Sequence, residues 1–291
     1  MTAHAADADR AADAAGSAGA AGTTKAVGSA GAVGSAAAVG IAGAVGIAGE
    51  GRSARTADAD RAAPRAVGEE GGAGRPVGQD RRMRTSALVS GVLALILLVL
   101  VAVGWPPLLS FDRSVAEALH RSALAHPGFT HVNRVLTDWV WDPWTMRALA
   151  AVAAALLWWR RERRAALWVA GTSLLAVGLQ QALKALVGRE RPQWTDPVDS
   201  AHYAAFPSGH AMTATVTCGL LLWVLALHWR EEWRGWGTLA GVAVVSVLGV
   251  GWTRVYLGVH WPSDVVEGWL LGWFCVAVAV LTYRSRMGGR R

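Results

Sequence analysis

The chain has 291 residues, 53% of them hydrophobic and 17% charged. A mean hydropathy of +0.30 excludes an ordinary water-soluble domain of this size and points to several membrane spans. The net charge of +7 does not call for a nucleic-acid partner, because the arginines lie between apolar runs, where they orient a chain in a bilayer.

In chain order, residues 1–82 are mostly Ala, Gly, Ser and Val. A six-residue near-repeat runs from Ala26 to Gly49 as AVGSAG, AVGSAA, AVGIAG, AVGIAG. Side chains this small bury little area, so 1–82 is expected to be a disordered, low-complexity extension. Residues 83–291 form the expected membrane domain. Met83 follows Arg81-Arg82 and offers an alternative start. The same Arg pair loosely resembles a twin-arginine export signal, but no small-x-small cleavage pattern follows, so an uncleaved anchor is expected.

Six apolar runs follow, at 86–104, 145–159, 165–188, 207–229, 237–258 and 262–283. They predict an all-α, polytopic protein with six transmembrane helices. The second run is short and is expected to start earlier, with Arg147 reaching out to the headgroups. Between the first two lie about forty residues with scattered charge and a loose helical pattern. Arginines 81, 82, 84, 160, 161, 163, 164, 230, 234, 284, 286, 290 and 291 fall on alternate sides of the spans. The positive-inside rule puts them, and both termini, in the cytoplasm. Trp105, Trp144, Trp158, Trp159, Trp229 and Trp261 stand near span ends, where indole prefers the interface. Cys218 and Cys275 sit inside apolar runs, unsuited to a disulfide or a metal site.

Other residues do not fit a purely apolar span. Lys184 is the only lysine after residue 25 and lies about a turn inside the third run. An ionisable group at that depth needs a partner or a task. The topology brings three segments to one outer face: KALVGRERP (184–192), FPSGH (206–210) and TRVYLGVHWPSD (253–264). Lys184, Arg191 and Arg254 supply positive charge for an anion with tetrahedral oxygens. Ser208 and Gly209 open a helix whose first N–H groups have no internal acceptor, and Gly209 makes room for the oxygens. Asp264 follows His260 by four, so its carboxylate can fix the imidazole tautomer and leave the other nitrogen as a nucleophile. His210 is then the proton donor and acceptor. No metal or other cofactor is expected, since no group of carboxylates on that face would hold Mg²⁺. Arg189 and Glu190 read as a loop ion pair. Taken singly, Ser208 reads as a helix cap and the arginines as interface anchors; taken together, on one face, they read as a site.

The three motifs Lys184…Arg191-Pro192, Pro207-Ser208-Gly209-His210 and Arg254…His260…Asp264, in this order and spacing, resemble the type 2 phosphatidic acid phosphatase superfamily. The likeness covers 144–283. It implies a six-helix, metal-independent membrane phosphatase that forms a phosphohistidine, with His260 as nucleophile, Asp264 as its orienting partner and His210 as general acid. Phosphate contacts would come from Lys184, Arg191, Ser208, Gly209 and Arg254. The expected substrate is a lipid phosphate such as phosphatidic acid, phosphatidylglycerol phosphate or a polyprenyl diphosphate, met at the outer face of a plasma membrane. Two departures stand out. Thr253 replaces the usual Ser before Arg254 and should keep the hydroxyl donor, and Glu267 is an extra acid that either tunes the site or caps a helix face. Two alternatives share the pocket: a lipid phosphotransferase using the same phosphohistidine, and a non-enzymatic anion-binding membrane protein. The second predicts polar residues at mid-membrane in several spans, and few are written there beyond Thr213, Thr215 and Thr217.

Overall fold

The computed structural model describes residues 77–228 and 235–288. The expected disorder of residues 1–76, and the placement of Trp229, Arg230, Arg234, Arg290 and Arg291, lie outside the described residues. The described residues form helices and no strands, in the order α1 Val77–Ala102, α2 Pro106–Ala125, α3 Pro127–Val135, a π-helical turn Leu136–Val140, α4 Pro143–Trp159, α5 Arg163–Val187, a loop over residues 188–208, α6 Gly209–His228, α7 Trp236–Tyr256 and α8 Pro262–Gly288. The first helix starts at Val77, ahead of the boundary expected at residue 83, so Arg81 and Arg82 are helical.

Among the described residues five helices, α1, α5, α6, α7 and α8, are long and apolar enough to cross a membrane by length and composition. The element at the expected second span is α4, which starts at Pro143 and has 17 residues, about 25 Å of helix. That is short of a hydrocarbon core of about 30 Å. Pro143 is a favoured first helical residue, and Asp142 caps the end by accepting from the Trp144 and Thr145 N–H groups at 2.7 and 3.2 Å.

The bundle has two distinct ends. At one, Arg284 of α8 donates to Asp80 of α1 at 2.8 Å, and Glu162 meets His228 of α6 at 2.7 Å. At the other lie the three motif segments, covered by α2 and α3. Helix α2 shows why the loose pattern there is amphipathic. Asp112, Ala116, His120 and Ala123 are buried, while Leu109, Phe111 and Leu124 are exposed. This is helical spacing, with one stripe turned onto the bundle.

The core runs along α8, which packs on α6 and α1. Gly268 and Gly272 set the α6–α8 approach. A Cβ at Gly268 would stand 2.8 Å from the Ser208 carbonyl oxygen, and one at Gly272 would stand 2.8 Å from Thr215 Cβ. Small residues four apart let two helix backbones touch in a bilayer. The Ser208 N–H donates to the Asp264 carbonyl at 2.9 Å, so the start of α6 is bound to the start of α8. A bulky side chain here should separate them. Gly268→Leu is expected to cost about 1–3 kcal/mol and to lower activity in parallel. Unchanged thermal stability and turnover would contradict the close packing.

Candidate active site

Helix α5 ends at Gly188, whose φ of +58° reverses the chain. The loop after it folds back over the outer ends of α6 and α8. Its carbonyls form a cup for two of the cations. Arg191 donates to the Tyr203 oxygen at 2.9 Å, the His202 oxygen at 3.2 Å and the Val259 oxygen at 2.5 Å. Lys184 donates to the Ala204 oxygen.

His260 lies at the centre and is 2% exposed. Its Nδ1 stands 3.3 Å from Asp264 Oδ2, and its Nε2 stands 3.1 Å from the Arg191 guanidinium. A guanidinium has only donors, so Nε2 presents its lone pair to Arg191 and Nδ1 carries the proton toward Asp264. Burial first, then the charges of Arg191, Arg254 and Lys184, hold the His260 pKa well below the ordinary imidazole range. The imidazole is therefore neutral at pH 7. His210, one residue into α6, is within electrostatic reach of Arg254, His260, Arg191 and Lys184. The structure thus brings Lys184, Arg191, Ser208, Gly209, His210, Arg254, His260 and Asp264 to one end of the bundle.

Ser208 is fully buried, and its Oγ reaches the Ala211 N–H only at 3.5 Å, a weak cap. Arg254 is buried, donates to Thr137 Oγ1 at 3.3 Å and lies 3.7 Å from Asp199. The neighbouring carboxyl of Asp138 is pushed above its usual range, first by burial and then by the charge of Asp199.

Several details differ from the sequence reading. Arg189 is not paired with Glu190. It donates to Asp264 Oδ1 at 2.6 Å and to Asp112 Oδ2 at 2.7 Å, because its side chain turns inward against Trp261 while Glu190 is exposed. Asp112 also accepts from the Ser263 N–H at 2.9 Å and from the Ser263 hydroxyl. It thereby caps α8 with negative charge and anchors α2. A chain of contacts runs Asp112, Arg189, Asp264, His260. One signal for it is readable in the sequence, an Asp at a position of the stripe otherwise filled by Ala116, His120 and Ala123.

Gly209 has a close neighbour within the protein, since a Cβ there would meet the end of the Gln180 side chain, Nε2, at 2.7 Å. Thr253 keeps its hydroxyl but spends it on the Val250 carbonyl at 2.8 Å, so it is not offered to a ligand. Glu267 caps nothing. It is fully buried, and neither carboxyl oxygen has a hydrogen-bond partner among the described residues. His120, on α2, is buried and stacks on Trp194 at 4.1 Å between centroids.

A family model described as the PAP2 superfamily matches residues 165–287. Decaprenylphosphoryl-5-phosphoribose phosphatase of Mycobacterium tuberculosis is 30% identical over 148 residues, half of this chain and 71% of that protein. The chain belongs to the PAP2 superfamily. Undecaprenyl-diphosphatase of Sulfolobus acidocaldarius is 29% identical over 141 residues, 46% of this PAP2 chain and 59% of the relative. The chain thus spans little more than half the length of that relative. The fold is similar to the crystal structure of a transmembrane PAP2 type phosphatidylglycerolphosphate phosphatase from Bacillus subtilis. The TM-score is 0.62 at 23% identity, covering 71% of this chain and 99% of that one.

Two outcomes test the geometry. Arg191→Gln removes a cation beside Nε2, so the His260 pKa should rise and the acid limb of kcat/KM should move to higher pH. An unmoved limb would mean that Arg191 does not face the imidazole. Asp112→Asn should cost about 2 kcal/mol and lower kcat about tenfold through Arg189 and Asp264, with the exposed Glu190→Gln as control. Equal behaviour of the two variants in thermal unfolding and turnover would remove Asp112 from the network.

Proposed function

We propose that this protein is a membrane phosphatase that removes the terminal phosphate of a lipid phosphate through a phosphohistidine on His260. The observation that carries the reading is the orientation of His260, with Nδ1 toward Asp264 and Nε2 toward a cluster of cations. A buried neutral imidazole whose lone pair faces cations is prepared to attack an anion's phosphorus.

In the proposed reaction the terminal phosphate displaces the Arg191 contact from Nε2. Its oxygens take the guanidinium groups of Arg191 and Arg254, the Lys184 ammonium, the Ser208 hydroxyl and the N–H groups at the tip of α6. Nε2 then forms a bond to phosphorus as the bond from phosphorus to the leaving oxygen breaks. His210 gives that oxygen a proton. In the second step His210 takes a proton from water, the resulting hydroxide attacks phosphorus, and the P–N bond breaks to return neutral His260 and free phosphate. Charge developing on the phosphoryl oxygens is met by groups already in place, which costs no reorganisation. The cations fulfil this role in place of a metal ion.

The relatives support the substrate class. The names undecaprenyl-diphosphatase, decaprenylphosphoryl-5-phosphoribose phosphatase and phosphatidylglycerolphosphate phosphatase all describe a lipid with a terminal phosphate. Each also describes a second phosphate between the terminal one and the lipid tail. Six spans in a plasma membrane, with the arginine-rich ends in the cytoplasm, would open the site to the outer leaflet.

The test is phosphate release by the purified chain from a panel of lipid phosphates. His260→Ala is expected to lose at least about a thousandfold in kcat, and Asp264→Asn about a hundredfold. EDTA should leave turnover intact and vanadate should inhibit it. His260→Ala within tenfold of the parent, or loss of activity in EDTA, would overturn the reading.

A further inference from the structure

Toward the arginine-rich end of the bundle, α5 and α8 part and leave an apolar groove of about 360 Å³, within the range of small-molecule sites, about 300–1,000 Å³. Leu167, Gly171 and Leu175 of α5 line one side, and Phe274, Val278 and Ala279 of α8 line the other. A Cβ at Gly171 would meet nothing within 4 Å beyond the backbone of its own helix, so the space beside it is open. Leu167, Leu175 and Val278 are exposed, and the groove therefore faces outward between two helices long enough to cross a membrane. Trp168 bridges the two walls, its indole N–H donating to the Ala279 carbonyl at 2.7 Å.

Three guanidinium groups stand one turn beyond the lining. Arg163 precedes Leu167 by four residues, Arg164 precedes Trp168 by four, and Arg286 follows Thr282 by four. Residues four apart share a helix face. Arg286 lies over the Trp168 ring, 5.4 Å from its centroid, and Arg163 lies over Trp158 at 5.4 Å. Arg164 reaches only the Met287 thioether, at 3.7 Å. Among the described residues none of the three has a carboxylate partner, because the acids at this end are taken: Asp80 by Arg284 and Glu162 by His228. An arginine at a membrane surface needs no ligand, and neither does a dip in a lipid-facing wall. An apolar slot headed by uncompensated guanidinium groups is different, since it matches a lipid tail and an anionic head at once.

We infer that the groove between α5 and α8 holds a tail of an anionic glycerophospholipid whose phosphate is met by Arg164 and Arg286, with Arg163 beside them. A second copy of the chain matches the groove less well. A two-fold interface sets a patch against itself, which here brings arginines against arginines. The lipid is also distinct from the one proposed to react at His260. Lys184 stands twenty residues along α5 from Arg164, about 30 Å of helix, so the two phosphates lie at opposite ends of the bundle. With the arginine-rich end in the cytoplasm, the bound lipid belongs to the inner leaflet. It fills the gap between the helix that carries Lys184 and the helix that carries Asp264, and a ligand bound only to the folded state stabilises that state. The inference stands apart from the phosphatase reading, and its test uses no turnover.

The full chain, purified in a neutral detergent, is titrated with dioleoyl phosphatidylglycerol or dioleoyl phosphatidylcholine. Bound lipid is counted by native mass spectrometry, and thermal unfolding is followed in parallel. The parent should hold phosphatidylglycerol at least about tenfold more tightly than phosphatidylcholine and unfold at a higher temperature with it. The double change Arg164→Gln and Arg286→Gln should weaken phosphatidylglycerol by at least about tenfold and erase the preference. Arg81→Gln with Arg82→Gln removes the same charge from α1, off the groove, and should leave the preference intact. Gly171→Leu puts a good helix former into open space, so the lipid-free chain should stay folded while its affinity for phosphatidylglycerol falls about tenfold. Equal binding of the two lipids by the parent would overturn the site. So would an equal loss in the α1 variant, or phosphatidylglycerol affinity within about twofold of the parent in Gly171→Leu, since lipid held at the His260 end would ignore that change. A lipid-free dimer of the parent that Gly171→Leu dissociates would assign the groove to a second copy and also overturn the inference.

Discussion

The contact between the start of α6 and the start of α8 is the constraint on which the rest depends. Gly268 and Gly272 let the two backbones touch, and the Ser208 N–H closes the joint on the Asp264 carbonyl. That joint sets a bare helix tip beside His260. The tip offers N–H groups and partial positive charge. The imidazole offers a lone pair aimed the same way. Neither helix alone makes the site, because His210 rides on α6 while His260 precedes α8.

The cations then have to be held close together. Backbone carbonyls do much of this: the oxygens of residues 202–204 and 259 take the Arg191 and Lys184 donors. Asp199 stands near Arg254. Positive charges crowded in a poorly solvated place repel one another strongly, and an anion bound among them would relieve that repulsion. Burial first, and then this crowding, lowers the His260 pKa and keeps the ring neutral. Asp112 and Asp264 balance Arg189 on the far side of the ring, so the buried charges there are paired and hydrogen-bonded. Helix α2 is therefore part of the site's support as well as a cover over the bundle end.

The sequence carried the spans and the convergence of the three motifs because both are written locally. Apolar runs report spans, and alternation of arginine-rich flanks reports which ends meet. The His260–Asp264 contact was legible because four residues on a helix start bring two side chains together. The reach of Asp112 was not, since 151 residues separate it from Ser263 and nothing local names its partner. Arg189 was misread because adjacency to Glu190 suggested a pair, while burial turned the two side chains apart. Thr253 was misread because a hydroxyl in a helix has a carbonyl one turn back to bond, and spacing alone does not say which acceptor it takes. Gly209 was assigned to ligand approach, and the close Gln180 amide is a neighbour that the sequence did not name. The early start of α4 was legible only as a shortness of the second run; Asp142 and Pro143 begin the helix two residues ahead of it and Trp159 ends it after 17 residues.

The account turns on a covalent bond between phosphorus and His260 Nε2. Its most direct measurement is rapid alkaline quench of the chain with a lipid labelled in its terminal phosphate, followed by peptide mapping. The account predicts acid-labile, base-stable label on the peptide carrying His260, accumulating in His210→Ala and absent from His260→Ala. Turnover with no labelled protein in His210→Ala, or label on any residue other than His260, would contradict it.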